Sequence, residues 1–341
     1  MLNGVSWLYG KIIESRNSLY NRGALKSHKL PAPTISVGNI TVGGTGKTPL
    51  VAYIADYLFE KGETVCIISR GYKRKNESER VLVSDLSRIH STPEEAGDEP
   101  FELAKKLKKK AIVISDKNRV AAAKWAANKF DVTAIVLDDA FQHRKAGREL
   151  DLLVVDSTNP FGNKRTIPGG ILREPLKNLA RADAVVLSRT EQVGDSEGAI
   201  REISAIAPNL PIFSAKTRIR SYVSLAEFYR GDLVSSSLPD ERTIAFCGIG
   251  NPGSFSTLLV KDDINLVDTL EFDNHHSYTK DETRSIEKTA EQKETGVLVT
   301  TAKDAVKLRP DQFSLPCFVC LTDVSFDNEK GFADLIDKAL S

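Results

Sequence analysis

Charge of one sign is what this chain of 341 residues lacks: 47 lysines and arginines meet 46 aspartates and glutamates, a formal net charge of +1. A general nucleic-acid binder carries a clear basic excess, so that class is excluded and any basic function must be local. Long apolar runs are missing too, with no stretch of about 18 residues able to cross a bilayer as a helix. The first residues have no basic start, apolar stretch and small-residue cleavage site, hence no secretory signal, and the expectation is a protein that stays in the cytoplasm. Cysteine is scarce. Cys66, Cys247, Cys317 and Cys320 fall mostly in apolar runs, which fits a reducing compartment and no disulfide framework. Cys317 and Cys320 make a C-x-x-C, but residues three apart on a strand face opposite sides, and no second pair completes a zinc site. They read as core cysteines.

What is present is ordinary for a globular protein, with 41% hydrophobic and 27% charged residues, and enough chain for two domains or one large one. Residues 1–30 stand apart. Leu2, Val5, Leu8, Ile12, Leu19 and Tyr20 recur at roughly helical spacing, with Trp7 and Tyr9 among them, while Lys11, Arg16, Arg22, Lys26 and Lys29 supply positive charge. Such an amphipathic helix either lies in a membrane interface or packs on the rest of the protein. From Thr34 short apolar strands alternate with amphipathic helices. Strands are expected at 34–37, 64–69, 111–115, 134–137, 152–155 and 184–187, and helices at 48–60, 100–108 and 119–128. This pattern predicts an α/β fold with a mostly parallel sheet and helices on both faces. Residues 221–242 are polar and without period, so they are expected to connect a domain of residues 31–220 to a smaller α/β domain of residues 243–341. In the latter, strands are expected at 243–247, 265–269, 297–300 and 316–320.

The strongest local signal is Gly43-Gly44-Thr45-Gly46-Lys47-Thr48, after one strand and before one helix. Consecutive glycines let backbone N–H groups turn toward a phosphate, and the helix N-terminus adds its positive end. Thr41 to Thr48, with Val42, are the candidate nucleotide-binding segment, in which Lys47 would reach the phosphates and Thr48 would ligate Mg²⁺. Thr41 stands where the strict P-loop pattern has glycine. After the strand 134–137, Asp138 and Asp139 are the candidate metal carboxylates, at the strand end where ligands of open α/β sheets bind. ATP and Mg²⁺ are the cofactors this pairing implies. Val42 replaces the lysine that many partition-type regulatory ATPases carry before their two glycines, which counts against a P-loop switch acting on a partner protein. Gly248-Ile249-Gly250-Asn251-Pro252-Gly253, with Asp268 about twenty residues on, matches a dinucleotide fingerprint and offers an oxidoreductase as another class. Pro252 equally fits the opening of an ordinary helix.

The whole set of motifs resembles the tetraacyldisaccharide 4′-kinase family, the lipid A kinases of Gram-negative bacteria. The matching segments are Gly38–Pro49, Ser69-Arg70-Gly71-Tyr72, Gly97-Asp98-Glu99-Pro100, Asp138–Arg144, Pro168–Leu176, Gly248–Pro252, His275-His276-Ser277-Tyr278 and Thr300–Val306, in that order along nearly the whole chain. The resemblance implies transfer of the γ-phosphoryl group of ATP to the 4′-hydroxyl of an acylated glucosamine disaccharide phosphate lipid. It implies Asp98 as general base, assisted by His275, with Lys47 and Arg173 on the phosphates and Thr48, Asp138, Asp139 and Glu174 around Mg²⁺. It also implies that the N-terminal helix contacts the cytoplasmic face of the inner membrane; no obligate protein partner and no nucleic acid is expected. Ala140, Asn274 and Ala302 depart from the family pattern, which has Gly, Asp and Glu there. Without the resemblance Asp98 would read as a helix cap, Arg173 and Glu174 as an exposed pair, His275 and His276 as loop or core histidines, and His143 as a residue that orients the aspartates.

Overall fold

The structure is a computed structural model, and it describes residues 2–233 and 237–341. Met1 of the N-terminal segment and residues 234–236 of the expected connection lie outside the described residues. Twelve strands are described: β1 (Thr34–Asn39), β2 (Val65–Ser69), β3 (Val81–Ser84), β4 (Ala111–Ser115), β5 (Ala134–Asp138), β6 (Leu150–Asp156), β7 (Ala184–Ser188), β8 (Ile212–Ser224), β9 (Thr243–Cys247), β10 (Leu266–Glu271), β11 (Val297–Thr301) and β12 (Cys317–Phe326). They form one sheet in the order β10-β9-β11-β12-β8-β7-β6-β1-β5-β2-β4-β3. Pairing is parallel except at β3–β4 and at β8–β12.

Alternation along the central strands feeds two layers. In β2, Val65 and Ile67 join the core under the helices Lys47–Glu60 and Asp98–Lys106, while Cys66 and Ile68 join the core under the helix Arg119–Lys129. Both faces are thus apolar, which is why these strands read as continuous hydrophobic runs. The cysteines obey the same rule: all four are buried and free, and Cys317 and Cys320 fall in different core clusters on opposite sides of β12.

Two elements depart from expectation. Residues 221–224 are not the start of a loop but the end of the thirteen-residue β8, and a capped helix, Leu225–Arg230, follows. β8 pairs with β7 through Ile212–Ser214 and with β12 through Ala215–Ser224, so this strand carries the sheet from β7 across to β12. Its burial alternates poorly because it is half-exposed over Thr217–Arg220, which hid its period. The chain's last helix, Glu329–Leu340, returns to the first half, where Asp337 meets Tyr57 and Lys61 beside the phosphate-loop helix.

The N-terminal helix, Leu2–Asn21, is inverted relative to a soluble surface helix. Its polar side faces the protein: Ser6 Oγ accepts from the Gly169 N–H, Tyr9 donates to the Arg173 carbonyl, Arg16 to the Gln142 carbonyl, and Asn17 to Glu174. Leu2, Val5, Trp7, Leu8, Ile12 and Leu19 point outward, with Trp7 65% exposed. No described helix is long and apolar enough to cross a membrane.

Candidate active site

The phosphate loop runs from the end of β1 into the helix Lys47–Glu60. Gly46, the residue before that helix, has φ +80°, a left-handed conformation that a side chain would strain. Thr41, by contrast, is buried and bridged antiparallel to Leu172. The Val42 N–H donates to the Ile171 carbonyl and the Arg173 N–H to the Ile40 carbonyl, each at 2.7 Å. Extended backbone serves at Thr41, which explains how the loop forms without the usual first glycine. The same pairing delivers Arg173 to the site.

Around the loop, charge is arranged asymmetrically on two neighbouring carboxylates. Arg173 Nη1 reaches both oxygens of Asp139 at 2.9 and 2.8 Å, and Lys47 Nζ stands 3.5 Å from Asp139 Oδ1. Burial would raise the Asp139 carboxyl, but Lys47 and Arg173 win and hold it well below the usual carboxylate range. Asp138 is the opposite case. Burial, and then the neighbouring Asp139 charge, push its carboxyl up to about 6, against a hydrogen bond from Ser69 Oγ at 2.7 Å and the pull of Lys47. Asp139 has φ +49°, and Arg119, itself buried, donates to the Asp138 carbonyl from behind.

The donor set of Thr48, Asp138 and Asp139 consists of hard oxygens, one carboxylate raised by burial and by its neighbour's charge. That suits Mg²⁺, which needs one or two carboxylates plus substrate phosphates rather than a closed protein cage. Among the described residues no group of three or more His, Cys, Asp or Glu side chains forms such a cage. Glu174 does not join this set. Its carboxylate is buried and accepts from Arg181 at 2.8 and 3.2 Å, from Asn17 at 2.9 Å and from Asn178 at 3.0 Å. Although burial would raise it, these partners keep its carboxyl below the usual range, so Glu174 anchors the N-terminal helix, while Arg173 beside it turns the other way.

The second cluster lies across the two halves. Gly97 is the N-cap of the helix Asp98–Lys106 and the Asp98 side chain makes no capping bond, leaving its carboxylate for other partners. Asp98 Oδ2 meets Nδ1 of His275 at 3.1 Å, with Lys307 Nζ 3.8 Å away. His275 Nε2 faces Lys303 Nζ at 3.5 Å, and Lys303 bonds Glu99 at 3.0 Å. Nε2 thus stands between the Lys303 ammonium and Glu99 Oε1, the latter also 3.5 Å away. Asn274, one of the departures, accepts from the same Lys303 at 3.3 Å. Tyr72 packs edge-on against His275, their ring centroids 5.6 Å apart. Thr48 and Glu102, one turn beyond Asp98, line a single small cavity with Ala302, so the phosphate-loop helix and the Asp98 helix share a wall.

Sequence reading did not single out Arg119, Ser69, Glu99, Lys303 or Lys307. Lys303 and Lys307 sat in or beside a quoted motif, and their i, i+4 spacing on one helical face was the available signal. His143 is half-buried, its Nε2 without a protein partner; burial and then Arg119 and Arg148 lower it to about 4, so it is neutral. In the Gly248–Gly253 segment Asn251 and Pro252 open the helix Pro252–Lys261, and Asp268 is paired with Lys293.

A phosphate loop ahead of a helix, two carboxylates at the end of a neighbouring strand and a mostly parallel sheet covered on both faces define a P-loop nucleotide-binding protein. The family model of tetraacyldisaccharide-1-P 4′-kinase matches residues 1–341, and the chain belongs to that family. Tetraacyldisaccharide 4′-kinase of Desulfotalea psychrophila is 40% identical over 318 residues, covering 92% of this chain and 89% of the relative. That of Aquifex aeolicus is 37% identical over 307 residues, covering 89% and 88%. A crystal structure of the "apo" form of LpxK from Aquifex aeolicus, in complex with ATP, superposes with a TM-score of 0.77 at 33% identity, covering 99% of this chain and 98% of that one.

Proposed function

We propose that this enzyme transfers the γ-phosphoryl group of ATP to the 4′-hydroxyl of tetraacyldisaccharide 1-phosphate, a late step of lipid A biosynthesis, with Asp98 as the general base. The observation that carries the assignment of the base is the Asp98–His275 pair: a carboxylate from the first half held at 3.1 Å by an imidazole from the second. His275 occupies Oδ2, which leaves Oδ1 to orient the sugar hydroxyl and take its proton. As the hydroxyl oxygen bonds the γ-phosphorus, the bond to the β–γ bridging oxygen breaks, ADP departs and the proton resides on Asp98. Lys47 and Arg173 offset the charge on the phosphates, which is most of what this chemistry asks of a protein. Mg²⁺, held by Thr48, Asp138 and Asp139, would supply further charge neutralisation at the phosphate oxygens.

The outward apolar face of the N-terminal helix supports attachment to the cytoplasmic face of the inner membrane, where an acylated substrate resides. Lys11, exposed beside that face, favours anionic lipid. The test is transfer of labelled γ-phosphate from ATP to detergent-dispersed tetraacyldisaccharide 1-phosphate. Wild type is expected to label the lipid, and Asp98→Ala to lose about 10²–10⁴-fold in turnover while still binding ATP. A folded Asp98→Ala enzyme with near-normal turnover would remove Asp98 from the role of base.

A further inference from the structure

The end of β7 grips the phosphate loop by its carbonyls. Ser188 Oγ donates to the Thr45 carbonyl at 2.8 Å, and Arg189 Nη1 donates to the Gly44 carbonyl at 2.7 Å. In a trans peptide the C=O of one residue and the N–H of the next point in opposite directions. Holding these two carbonyls outward therefore turns the N–H groups of Thr45 and Gly46 inward, toward the place of a phosphate. Arg189, with φ +59°, also donates to Asp156 at the end of β6. Asp156 Oδ1 accepts from the N–H and hydroxyl of Thr158 at 3.0 and 2.7 Å.

Asp156 has one further partner, and it comes from the other half of the molecule. Asn251 Nδ2 donates to Asp156 Oδ2 at 3.2 Å and to Thr158 Oγ1 at 3.1 Å, while Asn251 Oδ1 caps its own helix by accepting from the Ser254 N–H at 3.2 Å. The loop that carries Asn251 lies directly on the phosphate loop: a Cβ on Gly250 would stand 2.5 Å from the Gly44 nitrogen. The same loop supports the other cluster, since the Gly248 carbonyl accepts the His275 N–H at 3.1 Å.

We propose that Asn251 is a positioning residue for the kinase reaction. Through Asp156 and Arg189 it makes the amide geometry of the phosphate loop depend on the seating of the second half. One loop then places both the triphosphate and His275. The amide is suited to this because one end accepts for the cap and the other donates to a carboxylate. An aspartate at position 251 would keep the cap, since Asp caps as well as Asn, and would set a second carboxylate against Asp156. If Asn251 were a cap and nothing more, that exchange would be silent.

The test is steady-state kinetics of the full-length enzyme, varying ATP and lipid separately, with a melting curve for each variant. Asn251→Asp is expected to raise the KM for ATP about tenfold or more, the usual worth of a hydrogen bond to a charged group, with the KM for lipid unchanged. Asn251→Ser, which keeps a capping hydroxyl but is too short to reach Asp156, is expected to shift the ATP KM the same way, and serves if the first variant does not fold. Combining Asp156→Asn with Asn251→Asp again matches one amide to one carboxylate and is expected to recover part of the loss. An ATP KM unchanged in the folded single variants, an equal rise in the lipid KM, or a rise that the combined exchange leaves untouched would each overturn the proposal.

Discussion

Asp138 is a carboxylate whose folded environment works against its own charge. With its carboxyl at about 6 in the folded chain, against an ordinary value near 3.9, the native state holds the proton more tightly than the unfolded chain does. The resulting destabilisation is absent below about pH 4, grows between about pH 4 and 6, and is complete above that. Asp138→Asn removes it while preserving an acceptor for Ser69. Without nucleotide or Mg²⁺, this variant is expected to be more stable than wild type at pH 7.5, by about 1–3 kcal/mol, with the gain fading as pH falls from about 6 to 4 and with turnover lost. Thermal unfolding across that pH range measures it; an unchanged or lower melting temperature at pH 7.5 would show that the site holds no such strain. Much of this was legible from residues alone. Lys47, Asp139 and Arg173, about thirty or more positions apart from one another, do converge. Glu174 did not follow: at the bend where the two adjacent residues sit, Arg173 turns toward Asp139 and Glu174 toward Arg181 and Asn17. The lysines that flank Asp98 and His275 were hidden for another reason. A lysine in a motif reads as a solvated surface residue until a second half of the molecule is known to fold over it.

At the scale of elements, the N-terminal helix shows that periodicity reveals two faces but not which one faces in. Its apolar stripe predicted either membrane contact or packing. In the fold, the polar stripe packs and the apolar one is free, because the hydrogen-bonding partners at Gly169, Arg173, Gln142 and Glu174 lie on the segments beside it. Leu8 and Ile12 are 55% and 59% exposed, so replacing them removes little folded-state packing. Leu8→Ser with Ile12→Ser is expected to weaken partition onto vesicles containing anionic lipid at least about tenfold, since each side chain is worth about 1.5–3 kcal/mol when buried, and to leave the melting temperature unchanged. Sedimentation with vesicles reads the first and calorimetry the second. Partition equal to wild type would detach this helix from membrane binding. β8 teaches the converse lesson: a strand that leaves one half of the sheet to enter another has no single buried face, and its period vanishes from the sequence.

For the whole molecule, the division we propose into residues 31–220 and 243–341 has its consequence in the ribbon of β8 and β12. The phosphate loop and Asp98 lie on one side of that ribbon, His275 and Asn251 on the other. The antiparallel pairing has an irregularity at Leu321–Thr322, close to the place where Lys106, at the end of the Asp98 helix, bonds Thr322 and Asp323. A bulge of this kind bends a ribbon at low cost, whereas the parallel core of β1, β2, β5 and β6 is packed on both faces and resists deformation. Adjustment on binding is therefore expected at the ribbon, bringing the second half down on ATP and lipid together. Small-angle scattering of the enzyme with a non-hydrolysable ATP analogue and lipid is expected to give a smaller radius of gyration than the free enzyme. ATP analogue alone is expected to produce part of the change, because Gly250 and Asn251 rest on the loop that receives the triphosphate. Identical scattering in all three states would mean that the halves are already in their working arrangement, with Asp98 and His275 held at their 3.1 Å contact before either substrate arrives.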